Sequence, residues 1–113
     1  MSLERSQVEQ IIKRYGIALK KRGIKPERLI LFGSYAKGKA SEFSDIDLLV
    51  ISSDFSGIPL IERCAILGRA AAEIMEPVEA RAYTPEEIER LLPTSIIGAT
   101  IQNIAEHVEI PVS

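Results

Sequence analysis

Two aspartates lie close together in a segment that otherwise has the composition of a buried strand. Asp45 and Asp47 flank Ile46, and apolar, mostly branched residues follow as far as Ser52. Side chains two residues apart in a strand point to the same face and lie about 6.5–7 Å apart along it. The pattern predicts a strand over Asp45–Ser52 that is apolar on one face and carries both carboxylates on the other.

Two carboxylates at this spacing repel each other unless a cation lies between them. Magnesium is the natural candidate, because it prefers oxygen ligands and usually completes its shell with water and substrate phosphates. A third acid on a neighbouring strand would allow two ions about 3.5–4 Å apart. Glu79 is the candidate, since the alternation of apolar and charged residues over Glu76–Tyr83 predicts a half-exposed third strand.

Gly33 and Ser34 directly follow Arg28–Phe32, a short apolar run that predicts the first strand. Exposed backbone N–H groups and a hydroxyl at such a turn can hold phosphate oxygens, and glycine lets a phosphate approach the backbone closely. The polar loop 35–44, with one helical turn after Ser34, would return the chain so that both aspartates face this turn. Together the two groups predict a site for a nucleoside triphosphate carrying magnesium.

Each of these residues also has a plainer interpretation. The aspartates could be solvated strand acids, the Gly-Ser pair an ordinary turn, and Glu79 a surface acid paired with Arg81. Lys37 and Lys39 in the loop are candidates to neutralise phosphate charge, with ordinary solubility residues as the alternative. Tyr35 could stack on a base, although packing on its own loop is favoured.

The remaining periodicity predicts a small α/β (α+β) unit. Cys64 falls on an apolar helix stripe and is predicted to be in the core, and His107 is predicted to be a polar surface group; neither receives a catalytic role. The last residues, "EIPVS", are predicted to be a frayed tail or an edge strand. Helices are predicted over Leu3–Lys21, over Ile58–Met75, from the N-cap Thr84 to Leu92, and after Pro93. The apolar side predicted for the second helix consists of Leu60, Ile61, Cys64, Leu67, Ala71, Ile74 and Met75. The apolar stripe predicted for the last helix consists of Ile97, Ile101, Ile104 and Val108.

Composition narrows the class of protein. The chain has 113 residues, 46% apolar and 27% charged, which is enough for a core and predicts one domain over 1–113. A net charge of -2 and a pI near 5.5 argue against a long nucleic acid as partner. One cysteine excludes an internal disulfide, and no cysteine-histidine cluster offers a zinc site. We expect a cytoplasmic protein without membrane contact, because no apolar run has signal-peptide or membrane-spanning character.

Gly33-Ser34, ten intervening residues and then Asp45-Ile46-Asp47 on an apolar strand resemble the motif of the DNA polymerase beta nucleotidyltransferase superfamily. The chain is most similar to its minimal members, the MNT proteins. The resemblance implies a mixed sheet of about three to four strands flanked by helices. It also implies that Asp45, Asp47 and Glu79 form the catalytic metal site and that Gly33 and Ser34 bind the triphosphate. The third acid of this family is commonly aspartate, and glutamate is one methylene longer.

The reaction implied by the resemblance is nucleotidyl transfer, with magnesium (two ions) and ATP. An acceptor hydroxyl attacks the α-phosphate and pyrophosphate leaves, with Glu79 as the candidate to help deprotonate the acceptor. Minimal members are often paired with a HEPN-type toxin, an RNase, and inactivate it by adenylylating a tyrosine, so the resemblance implies an antitoxin. The alternatives are a non-catalytic antitoxin that acts by contact, and transfer to a small molecule such as an aminoglycoside. The sequence does not decide the oligomeric state, and a homodimer or a hetero-oligomer is possible.

Overall fold

The computed structural model describes residues 3–38, 40, 44–91 and 108–110. Within this part of the chain, helices and strands follow one another in a mixed order. The elements are α1 (Arg5–Lys21), β1 (Arg28–Phe32), α2 (Gly33–Lys37), β2 (Ile46–Ile51), α3 (Leu60–Ile74), β3 (Val78–Tyr83), α4 (Pro85–Leu91) and β4 (Val108–Ile110), with one turn of 3-10 helix at Ser53–Phe55.

The four strands form one mixed sheet in the order β3-β2-β1-β4. β1 is antiparallel to both β2 and β4, whereas β2 and β3 are parallel, with α3 in the connection between them. The small mixed sheet flanked by helices that the sequence predicts is therefore confirmed. This topology brings the C-terminal end of β1 and the N-terminal ends of β2 and β3 to the same end of the sheet.

One face of the sheet forms the main core with α1 and α3. The hydroxyl of the buried Tyr15 donates a hydrogen bond to the Leu67 carbonyl at 3.0 Å, and burial raises the pKa of this tyrosine. Tyr35 is also buried, at 8% exposure, but it packs into this main core from α2 rather than on a loop of its own. The largest contributors from α1 and the strands are Val8, Ile12, Leu19, Leu29, Leu31, Ile46, Leu48 and Val50.

The opposite face of the sheet carries a smaller apolar cluster and the acidic residues. Ile30, Leu49 and Ile51 pack with Ile88 of α4, and Phe32 and Tyr83 are partly buried against them. Because side chains alternate along a strand, Asp47 of β2 shares this face with Leu49. α4 starts with the predicted capping box, in which the Glu87 amide donates to Thr84 Oγ1 at 3.2 Å and the Thr84 amide donates to Glu87 Oε1 at 2.8 Å.

The predicted apolar side of α3 is partly wrong. Leu60 is 68% exposed, Ile61 80% and Met75 87%, and Cys64, predicted to be in the core, is exposed. The row that faces the sheet and α1 instead consists of Arg63, Leu67, Ala70 and Ile74. A charged residue can occupy this row because the hydrogen bonds of its guanidinium group are satisfied inside the protein.

The C-terminal prediction is also partly wrong. Val108 was placed on a helical stripe but lies in β4, so the predicted edge strand is observed and begins one residue earlier than expected. The rest of the predicted helix after Pro93, His107 and Lys39 lie outside the described residues. Among the described residues, no helix is long and apolar enough to cross a membrane.

Candidate active site

Two of the predicted acids lie side by side across neighbouring strands. Asp47 of β2 is the cross-strand partner of both Phe32 in β1 and Glu79 in β3. Directly opposite residues point to the same face of a sheet, with Cβ atoms about 4.5–5.5 Å apart. Asp47 is half-buried and Glu79 is exposed, and the exposed Asp45 immediately precedes β2. The pairing register of the sheet therefore places Glu79 beside Asp47.

The electrostatics of Asp47 show that the three acids act on one another. Burial raises the pKa of Asp47, and the negative charges of Glu79 and Asp45 raise it further. Arg81, two residues after Glu79 and so on the same face of β3, lowers this pKa. The negative charges of Glu79 and Asp45 thus both act on Asp47.

Gly33 is fitted to Asp47 by shape. Its φ is +74°, a conformation that side-chain-bearing residues rarely adopt. A Cβ added at this position would overlap Oδ2 of Asp47 and lie 3.0 Å from its Cγ. The aspartate carboxylate therefore occupies the space of the missing side chain, and the Gly-Ser turn is in contact with Asp47.

Ser34 and Lys37 lie in α2, the helical turn predicted after the first strand. Ser34 is half-buried, and its carbonyl accepts the Gly38 amide at the end of the helix. Gly38 has a φ of +71°, as is usual for a glycine that ends a helix. The structure places the backbone of Lys37 in the last position of α2, one turn away from Gly33. Ser34 thus directly follows the glycine that lies against Asp47.

A family model described as a nucleotidyltransferase domain matches residues 10–109. The chain belongs to this nucleotidyltransferase family. A protein of Methanocaldococcus jannaschii, provisionally named a protein adenylyltransferase, is 65% identical over 26 residues, which are 23% of this chain and 18% of the relative. The match thus spans under a fifth of that curated relative's length.

Two solved structures share the fold of this nucleotidyltransferase domain. One is provisionally described as a nucleotidyltransferase from Sulfolobus solfataricus, with a TM-score of 0.61, 18% identity, and coverage of 91% of this chain and 78% of that one. The other is described as a toxin-antitoxin with AMP-PNP, with a TM-score of 0.57, 23% identity, and coverage of 93% and 73%. They confirm the fold, and the family match confirms the predicted resemblance to the nucleotidyltransferases.

The carboxylates of the nucleotidyltransferase domain suit magnesium in their chemistry. They are hard oxygen donors, and a divalent cation would relieve the repulsion that raises the pKa of Asp47. Among the residues that the structure describes, no three acidic, histidine or cysteine side chains are already close enough to hold an ion together. Binding of an ion would therefore draw the carboxylates together, and the exposed Glu79 has the freedom to turn.

Arg63 is a residue of this region that the sequence analysis missed. It is 6% exposed, and its Nε donates to the Ile58 carbonyl at 2.8 Å. Both terminal nitrogens donate to the Glu87 carboxylate, at 2.6 and 3.0 Å, and the guanidinium carbon lies 5.8 Å from the centre of the Phe55 ring. The sequence signal for a buried arginine was the position of Arg63 four residues before the buried Leu67, which is on the same side of the helix. Arg63 holds α3, α4 and the C-terminal end of β3 together.

Proposed function

We propose that this nucleotidyltransferase domain transfers AMP from ATP, with magnesium, to a hydroxyl of a protein. The observation that carries the proposal is the position of Asp47, which contacts Gly33 and is also the cross-strand partner of Glu79. This arrangement joins a turn suited to phosphate with a group of carboxylates suited to a metal. Family membership supports the reaction type, and the protein acceptor is supported by the name of the short M. jannaschii match.

The roles of the residues follow from their positions. Asp45, Asp47 and Glu79 would hold the magnesium, which supplies charge stabilisation at the α-phosphate and the leaving pyrophosphate. The backbone and hydroxyl of Gly33 and Ser34 would hold the triphosphate, with Lys37 adding positive charge. The acceptor oxygen forms its bond to the α-phosphorus, the bond to the β-phosphate oxygen breaks, and Glu79 takes the acceptor proton. Positioning and electrostatics would supply most of the acceleration.

The acceptor we propose is a tyrosine of a HEPN-type toxin, which makes this protein an antitoxin. The structural neighbour described as a toxin-antitoxin with AMP-PNP supports a toxin partner and a nucleotide substrate. A second candidate is an antitoxin that neutralises its partner by contact alone. It is favoured by Glu79, a glutamate at the position where this family commonly has aspartate.

The test measures transfer of label from α-phosphate-labelled ATP, with magnesium, into a lysate of the source cells and into the purified toxin. We expect one labelled protein with the parent and none with the double variant Asp45→Asn/Asp47→Asn. The double variant Glu62→Gln/Glu89→Gln is the control, since it removes two charges from exposed helix positions.

The same variants separate the candidate functions. Equal labelling with Asp45→Asn/Asp47→Asn would contradict the proposed metal site. No labelling by the parent, with toxin neutralisation unchanged in the double variant, would establish the contact antitoxin instead. Label appearing only in a small hydroxyl compound such as an aminoglycoside would replace the protein acceptor.

A further inference from the structure

The outer edge of β3 is open to another strand in the part of the protein that the structure describes. β3 lies at the end of the sheet, and only β2 pairs with it there. The Ile46 amide donates to the Pro77 carbonyl at 2.8 Å and the Ser52 amide to the Tyr83 carbonyl at 2.9 Å. In a parallel ladder, alternate residues direct both backbone groups to the same neighbour. The odd-numbered residues of β3 therefore pair with β2, and Ala80 and Ala82 direct their amides outward.

This edge ends at a defined point. Nη1 of Arg63 donates to the Ala82 carbonyl at 3.4 Å, while Glu87 holds the same guanidinium. The Val78 amide is engaged with the Glu76 carbonyl at 2.9 Å. The outward groups between these two points are the Val78 carbonyl, both backbone groups of Ala80 and the Ala82 amide. They alternate acceptor and donor at the spacing of a strand.

An apolar groove of about 300 Å³ runs along the same edge, between β3 and α3. Leu60 and Cys64 are exposed on its helix side, and Glu79 is among the residues that line it, with Arg63 and Arg81. The groove therefore shares Glu79 with the candidate active site. Its apolar lining consists of Leu60, Cys64, Leu67, Ala80, Ala82 and Tyr83.

We propose that the acceptor is an extended segment of a protein, which adds to the outer edge of β3 as a further strand. The inference rests on the proposed function, because it names the acceptor of the same site. A polypeptide is the ligand whose backbone matches the alternating groups of the edge, and its apolar side chains match the groove. A sugar or a nucleotide has no such repeat of donors and acceptors at strand spacing.

Strand addition also places the reacting hydroxyl. Side chains of the added segment alternate between the two faces of the sheet, so that those on the α3 side enter the groove. Those on the other side emerge on the face of Asp47 and Glu79. A residue opposite Glu79 would have its Cβ about 4.5–5.5 Å from that of the glutamate. The modified tyrosine therefore has an apolar residue on each side.

Two variants test the docking of this segment. Leu60→Asp places a charge in the groove, and Ile61→Asp is the matched control, because Ile61 is the next residue and is also exposed but does not line the groove. Ala80→Pro removes an outward amide without removing a hydrogen bond to β2, and proline is tolerated at such edge positions. The readouts are labelling of the protein acceptor from α-labelled ATP and the rise in melting temperature with magnesium and AMP-PNP.

We expect Leu60→Asp and Ala80→Pro to lower labelling by at least about tenfold, which corresponds to a loss of about 1.4 kcal/mol in docking. The temperature rise with magnesium and AMP-PNP should persist in both, and Ile61→Asp should label like the parent. Mass spectrometry should locate AMP on a hydroxyl residue with apolar neighbours on both sides. Because Leu60 is exposed, its variant decides the matter even if Ala80→Pro folds poorly.

Several results would overturn the inference. Docking along β3 would be excluded if Leu60→Asp and Ala80→Pro labelled the acceptor as strongly as the parent does. It would also be excluded if Ile61→Asp lost as much labelling as Leu60→Asp. Either result would leave nucleotidyl transfer in place. AMP on a residue flanked by charged side chains would also contradict it. A homodimer that Ala80→Pro dissociates would assign the edge to a second copy of the chain. No protein labelling by the parent would instead contradict the proposed function, and the inference would fall with it.

Discussion

The carboxylate of Asp47 lies against Gly33, in the space that a side chain at position 33 would fill. Gly33 directly follows β1, and Asp47 lies in the antiparallel β2, where it pairs with Phe32, the residue before the glycine. A left-handed backbone and a close side-chain approach therefore both require glycine at the same position. The Gly-Ser turn and Asp47 therefore depend on one another for their geometry.

Gly33→Ala should destabilise the protein and abolish nucleotidyl transfer. A left-handed conformation costs about 1–2 kcal/mol for a residue with a Cβ, and forcing extra atoms into an occupied space costs about 1–3 kcal/mol more. Gly57→Ala is the matched control, because Gly57 has a φ of +78° but open space around it. Urea unfolding should show the larger loss for Gly33→Ala. Equal losses in the two variants would contradict the contact with Asp47.

Asp47→Asn should raise the stability of the metal-free protein at neutral pH while removing transfer. The folded protein raises the pKa of Asp47 above its ordinary value of 3.8, so the folded state binds the proton more tightly than the unfolded state. The free energy of unfolding therefore falls as pH rises from 3.8 through the raised pKa. Melting temperatures measured from pH 3 to pH 8 provide the test. Asp47→Asn should melt at a higher temperature than the parent near pH 7, and the two proteins should melt at the same temperature at pH 3. A variant less stable than the parent at pH 7 would contradict this account.

Glu79→Gln should reduce transfer by about 10²–10⁴-fold, the usual contribution of a group that takes a proton in the transition state. Its effect on folding should be small, because Glu79 is exposed. Steady-state labelling rates with saturating ATP provide the measurement, with Glu86→Gln as an exposed control on α4. Parental activity in Glu79→Gln would return this residue to the role of a solvated strand acid.

Glu87 should make the protein sensitive to acid. Hydrogen bonds from Arg63, together with those of the Thr84 cap, lower the pKa of Glu87 from 4.5 to about 2. Its stabilising contribution is therefore complete above pH 4.5 and is lost as the pH falls through about 2. Glu87→Gln should cost about 1–3 kcal/mol at pH 7, the penalty for weakening the partner of a buried donor.

The measurement for Glu87 is urea unfolding of the parent and Glu87→Gln between pH 2 and pH 7. The difference between them should shrink below pH 4.5. Glu73→Gln is the comparison, because Glu73 also binds cations, Arg22 and Lys21, but at the surface. Its effect should be smaller and should decrease with added salt. An equal, salt-sensitive effect at Glu87 would contradict the role of the buried Arg63.

Most of the secondary structure was predictable because its signals are local. The stripe of α1, the Thr84 capping box and the short apolar strands each depend on residues within a few positions of one another. α3 was harder, since it has apolar residues on two adjacent sides and hydrophobicity alone does not say which side meets the sheet. The side of α3 that meets the sheet is the one that carries the buried Arg63. Burial of this arginine depends on its partner Glu87, which lies on a different helix.

In the candidate site, too, some positions follow from local sequence signals and others only from pairing between distant strands. The spacing from Gly33 to Asp47 is a local signal, because the two residues lie on either side of a single loop. The place of Glu79 is different: alternation predicts a strand, but only the register of β2 with β3 puts Glu79 opposite Asp47. Val108 was assigned to a helical stripe for a related reason, since three residues of β4 carry too little pattern to reveal their pairing with β1.

The two strands that carry the acids differ in how firmly they are held. β2 is paired on both sides, whereas in the described sheet β3 is paired on one side. Strands with fewer partners open locally at a lower free energy than the whole protein unfolds. Opening of β3 would separate Glu79 from Asp47 while the rest of the sheet stays intact. The lifetime of the complete acid group is therefore set by one strand rather than by the stability of the whole chain, and the amides of β3 should exchange with solvent before those of β2.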